Sequence, residues 1–162
     1  MYKPEAISVT ISDDVEVPVL SFGPMETSVG FLLRIAQLTV SERTFAELNR
    51  RDVPIGEFTI LLSIDLNPGV RQGVLADMLR IKWSNMTKLI RSLEERGLIR
   101  RQVPPDDRRA ITLQITPAGR EQVENHKALV LGAIERSVPM LDEEEQRILL
   151  GLLRKVAGWP QL

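Results

Sequence analysis

The sequence predicts a mainly α-helical chain carrying one small β-hairpin. Two observations lead there. Aromatic residues are only 4% of a chain that is 43% hydrophobic, so the core must come from Leu, Ile, Val and Ala, a palette that favours helices. Apolar residues recur at helical spacing over most of residues 27–158, and the period changes to two only near residues 98–115, where Ile111, Leu113 and Ile115 alternate.

Residues 1–26 read as an N-terminal extension. Two pieces, ISVTI at 7–11 and VEVPVL at 15–20, alternate like strands, and Pro18 restricts the second to an edge strand or an extended arm. A first helix follows, with Val29, Leu32, Leu33, Ala36, Val40, Phe45 and Leu48 along one stripe. Pro54 sits at the start of a second, which carries Phe58, Leu61 and Leu62 and ends in the turn Asn67-Pro68-Gly69. Residues 72–79 form a short third helix with Leu75, Met78 and Leu79 facing inward. The fourth spans residues 83–96, buries Met86, Leu89, Ile90 and Leu93, and stops at Gly97.

The hairpin comprises a strand at 98–103, a turn at Pro104-Pro105-Asp106-Asp107 and a returning strand at 110–115. Thr116 is an N-cap followed by Pro117 at the first helical position, opening a fifth helix that runs to about Val138 before Pro139 breaks it. Asp142 and Glu145 make a capping box for the last helix, whose Ile148, Leu149, Leu152, Leu153 and Val156 form an apolar face. The first helix and the last two carry more apolar stripe than one small domain covers, so part of that surface is expected to meet a second copy.

Several function classes fall away. Zero cysteines exclude disulfides and thiolate metal sites, and the lone His126, expected to be structural, leaves no multi-histidine zinc site. No nucleophile–base pair, phosphate loop or metal cluster is present, so neither an enzyme nor a cofactor is expected. No apolar run approaches 18 residues and no signal-peptide pattern occurs, so a soluble, cytoplasmic protein without a membrane partner is expected.

The formal net charge of −1 conceals a sorting of charge along the chain. From Arg80 to Arg109 there are nine Lys or Arg and four acids, a local +5 that leaves −6 elsewhere. Affinity for a polyanion follows the local face, not the global sum. With Met86, Leu89, Ile90 and Leu93 inward, helical geometry turns Ser84, Asn85, Thr87, Lys88 and Arg91 outward. Short hydroxyls, an amide and cations near a helix start are what base edges and phosphates need. Asn85 is suited to adenine, Lys88 to guanine or a phosphate, and Thr87 to a thymine methyl or a phosphate. Trp83 is equally suited to shielding the turn and to packing on sugar.

These motifs together resemble the MarR family of winged helix-turn-helix transcription regulators. The resemblance covers residues 27–158 and rests on Leu75-Ala76, on Leu93-Glu94 with Gly97-Leu98-Ile99 and Arg101, on Asp107-Arg108-Arg109, and on Leu113, Ile115-Thr116 and Gly119. It implies a winged lobe at residues 53–116 and a dimerisation region made of residues 27–52 and 117–158. It further implies a homodimer on a pseudo-palindromic double-stranded DNA operator, with half-sites about one helical turn apart. Arg108 and Arg109 then sit at the wing tip, with Arg109 the groove-inserting residue and Asp107 bracing the wing by pairing with Arg101.

The family implies a repressor or activator, a repressor being expected here, whose DNA affinity is set by a small-molecule effector, commonly an anionic aromatic. No ligand motif assigns its site, and Arg34 and Arg43 are the only carboxylate-binding candidates on the first helix. One departure concerns the fourth helix. Lys82 and Trp83 stand where the family often has a Ser or Thr cap, so Ser84 is the alternative cap, starting the helix a residue or two later. A winged-helix module that binds protein instead of DNA is the rival reading, and the local +5 argues against it.

Overall fold

The computed structural model describes residues 20–51, 53–102 and 111–159. A 3-10 helix at Gly23–Thr27 precedes α1 (Val29–Asn49), α2 (Ile55–Leu66), β1 (Val70–Arg71), α3 (Gln72–Met78) and α4 (Trp83–Glu95). Then come β2 (Ile99–Gln102), β3 (Thr112–Ile115), α5 (Pro117–Glu135) and α6 (Glu143–Ala157). The mainly helical expectation with a small antiparallel sheet holds. The chain divides into two units, one through Val40 and one from Ser41.

In the first unit, the described end of the N-terminal extension is helical and not strand-like. Pro24 pre-sets the first turn, and the backbone N–H of Phe22 donates to the Glu26 carboxylate at 2.7 Å. The rings of Phe22 and Phe31 lie 5.3 Å apart, tilted by 46°. Val29, Leu32, Ile35 and Leu38 follow at helical spacing along α1, yet each is 44–66% exposed. Residues 1–19, with the first strand-like piece and all of the second except Leu20, lie outside the described residues.

The second unit holds the core. Leu48 of α1, Phe58, Ile60, Leu61 and Ile64 of α2, Leu75 and Ala76 of α3, and Met86, Ile90 and Leu93 of α4 close over Ile99 and Leu113 of the sheet and Val123, Val130 and Ala133 of α5. The sheet has three strands in the order β1-β3-β2, all antiparallel. The hairpin strands β2 and β3 pair in the register Ile99 with Ile115 and Gln102 with Thr112. The third strand, β1, is an addition to the sequence expectation. Val70 and Arg71 pair with Leu113 and Thr112, and two residues are too few to show any period.

Three local expectations need correction. Met78 is 47% exposed, because the inward face of α3 is Gln72, Leu75 and Ala76, with Leu79 one step on; Met78 shares the opposite face with Val74. Ser84 is not the cap of α4: the helix begins at Trp83, after Lys82, and Met86 N–H donates to the Lys82 carbonyl at 3.0 Å. The fifth helix ends at Glu135, before Pro139 is reached. There the Ser137 N–H and hydroxyl both donate to the Ile134 carbonyl, at 3.1 and 2.6 Å, which tightens the chain out of the helix.

Other terminators behave as the sequence indicates. Gly97, at φ +71°, closes α4, with its N–H on the Glu94 carbonyl and that of Leu98 on the Leu93 carbonyl. The Thr116 hydroxyl accepts from Gly119 N–H at 3.1 Å at the head of α5, and Asp142 with Glu145 forms the complete capping box of α6. α6 nevertheless buries none of its residues.

Candidate nucleic-acid interface

α3, the turn at residues 79–82 and α4 build the candidate site. α4 is held from below by Met86, Ile90 and Leu93, all fully buried, so its opposite face is fixed in direction. That face presents Ser84, Asn85, Lys88 and Arg91, all exposed. Ser84 and Lys88 are one turn apart, and Asn85 lies three residues before Lys88, so the three share one surface.

Thr87 is only half-buried and its hydroxyl is already engaged. It donates to the Trp83 carbonyl at 2.9 Å and accepts from the Gln72 side-chain amide at 3.2 Å. Thr87 therefore ties α4 to α3, and its methyl group is what remains to offer a base. Gln72 was not legible as a site residue in the sequence. It is 1% exposed, and its Oε1 has no hydrogen-bond partner among the described residues. Its position on the apolar stripe of α3, where an amide is out of place, is the signal that marks it.

Trp83 is 52% exposed, and its ring edge lies over Gly73, 3.6 Å from where a Cβ there would stand. It covers the α3–α4 junction and still leaves half its surface outward. Arg91 pairs with Glu95 at 2.8 Å across one helical turn, and this neighbour holds its guanidinium protonated more firmly still. Arg101 donates to Glu94 at 2.6 Å, fastening β2 to α4. Asp107, Arg108 and Arg109, the expected wing tip, lie outside the described residues, and the pairing of Asp107 with Arg101 lies there with them.

Charge on this face is uneven. Arg96, Arg101 and Arg120 are tied to Glu57, Glu94 and Asp65. Arg71, Arg80, Lys82, Lys88 and Arg100 form no ion pair among the described residues. From Met78 to Leu93 there are four cations and no acid. Unpaired cations beside an exposed amide and hydroxyl can meet phosphates and base edges together.

Two helices set across a short turn, the second exposed along one polar face and followed by an antiparallel hairpin, define a winged helix-turn-helix protein. The MarR family model matches residues 53–111. A putative transcriptional regulatory protein for the hcr operon of Thauera aromatica is 32% identical over 139 residues, 85% of this chain and 83% of that protein. The chain belongs to the MarR family of transcriptional regulators.

Solved structures agree. The transcriptional repressor CouR bound to a 23-mer DNA duplex is 32% identical, with a TM-score of 0.73 over 86% of this chain and 99% of that one. CouR bound to p-coumaroyl-CoA gives 29% and 0.71, over 86% and 98%. No described helix is long and apolar enough to cross a membrane.

Proposed function

We propose that the protein is a homodimeric repressor that binds a pseudo-palindromic double-stranded DNA operator and is released by a small-molecule effector, with no catalytic activity of its own. The observation that carries this reading is the face of α4, where Ser84, Asn85 and Lys88 stand exposed on a backbone fixed by buried Met86, Ile90 and Leu93. Asn85 reads a base, Lys88 a base or phosphate, and the Thr87 methyl a thymine. Trp83 packs at the edge of the contact, and Arg91, already offset by Glu95, is the weakest contributor. Arg108 and Arg109 reach the neighbouring minor groove from the wing tip, steadied by Asp107.

Support comes from CouR, a repressor of similar sequence bound to a DNA duplex. Dimerisation is supported by α6, which buries nothing in the protomer although Ile148, Leu150, Leu152 and Val156 are at least half exposed. The effector reading is supported by the CouR complex with p-coumaroyl-CoA, an anionic aromatic thioester, which makes aromatic acyl-CoA compounds the first class to test. Arg34 remains a candidate for its negative groups. Arg43 donates to the Ser137 carbonyl at 3.2 Å and would have to leave that bond.

Binding to genomic DNA fragments at low and moderate salt tests the function directly. Several phosphate contacts make affinity fall by roughly 10³–10⁵ between about 50 and 200 mM salt. Weak binding with a flat salt response would instead favour a winged-helix module that recognises protein.

A further inference from the structure

Three helices of this chain end in the same way, and one of them does so with the wrong residue. At the ends of α4 and α6 the residue past the helix takes a left-handed conformation, Gly97 at φ +71° and Gly158 at φ +63°. In both, two backbone N–H groups fold back onto the helix's last carbonyls: Gly97 to Glu94 and Leu98 to Leu93, then Gly158 to Lys155 and Trp159 to Arg154. The end of α3 is closed by the same pair of bonds, from Arg80 to the Asp77 carbonyl at 3.2 Å and from Ile81 to the Ala76 carbonyl at 2.9 Å. Here the left-handed position is held by Arg80, at φ +54°, the one non-glycine residue with positive φ among those described. An L side chain is disfavoured there and glycine is not.

The Arg80 side chain is exposed and makes no hydrogen bond or ion pair among the described residues, although Asp77 lies only three positions away. It stands two residues before Lys82, the N-cap of α4, in a turn whose other cation is also unpaired. A guanidinium carried at a conformational cost, unpaired, at the entry to an α4 face read as DNA-binding is matched by the phosphodiester backbone.

We propose that Arg80 is a DNA-phosphate clamp, gripping the strand beside the groove that α4 enters and setting affinity without reading sequence. This rests on the DNA-binding reading of α4 and extends it to the turn. Its contribution is electrostatic and sequence-independent, unlike that of Asn85.

The substitution R80G separates binding from folding, because glycine suits the backbone and removes no hydrogen bond or ion pair of the described fold. Thermal stability of R80G is expected to equal or exceed that of the wild type. Its DNA affinity is expected to fall several-fold, by the same factor on operator and on unrelated duplex. The slope of log affinity against log salt should shrink by about 0.9 for each Arg80, hence about 1.8 for a dimer. R80K, which keeps the charge, should retain most of the slope. Unchanged affinity and slope in R80G, beside a wild type with steep salt dependence, would overturn the clamp alone. A wild type that binds no duplex at any salt would overturn the α4 reading and the clamp with it. A loss confined to the operator would make Arg80 a base-reading residue and overturn the clamp as well.

Discussion

Asn85 sits where the first turns of α4 leave a side-chain amide exposed, beside Lys88 and above a fully buried Met86. A carboxamide can both donate to and accept from the edge of adenine, which suits Asn85 to the proposed role of reader. Asn85→Ala is expected to cost about 1–3 kcal/mol of discrimination between the preferred base pair and its alternatives, measured by competition between operators differing at single positions. Equal weakening on every sequence would reassign Asn85 to a phosphate. Arg109 is proposed to enter a different groove. Arg109→Ala is expected to weaken operator binding by roughly 1–3 kcal/mol with little change in melting temperature, and unchanged affinity at physiological salt would remove the wing from the interface.

The junction that aims the wing depends on how closely two elements approach. A Cβ at Gly119 in α5 would lie 2.1 Å from the Leu98 carbonyl oxygen and 2.9 Å from the Ile115 side chain. That carbonyl is held in place, since it already accepts from the Thr116 N–H at 3.0 Å. Gly119→Ala should therefore destabilise the protein by about 1–3 kcal/mol, read from a denaturant midpoint, and should also loosen the start of β2. A midpoint equal to that of the wild type would mean that α5 can slide off the sheet. α6 poses the opposite case, an element whose packing is missing from the protomer. Ile148 and Leu152 lie one turn apart on it and are 50% and 54% exposed. Replacing both with Lys costs a monomer almost nothing, so sedimentation should show the dimer giving way to monomers with secondary structure intact. A dimer that survives both changes would place the interface elsewhere.

Across the larger unit, an exposed ion pair joins the end of α1 to the end of α5. The Arg136 guanidinium grips Glu47 in a forked pair, with the Nε bond at 3.4 Å. That hydrogen bond holds the Glu47 carboxyl below its ordinary value and raises Arg136 further. A carboxyl whose value is lowered by folding stabilises the fold above its unfolded value, and the gain disappears as pH falls through the folded value. The melting temperature of the wild type should accordingly exceed that of Glu47→Gln near neutrality, and the gap should close as pH drops through the carboxylate range. Because the pair is solvent-exposed, the gap should also shrink with added salt. A gap independent of pH would show that packing, not charge, separates the two proteins.

Much of this was legible along the chain. The period of Met86, Ile90 and Leu93, the stop at Gly97 and the caps at Thr116 and Asp142 are local, set by propensity and by hydrogen bonds spanning a few residues, and they recur in the structure as read. The face holding Ser84, Asn85 and Lys88 followed from that period alone. What escaped was decided between elements. β1 exists only because β3 passes beside Val70 and Arg71; Thr87 turns from the outer face because Gln72 on another helix reaches its hydroxyl; Met78 is displaced from the core by the direction in which α3 lands. The left-handed turn at Arg80 is likewise a product of closure, since only residues 79–82 separate the end of α3 from the start of α4. The sequence by itself determined the longer helices, the caps at Thr116 and Asp142 and the polar face, because each depends on neighbours a turn away. Only the tertiary structure decided the third strand, the engaged threonine and the strained arginine, because each depends on a partner whose distance along the chain carries no periodic signal.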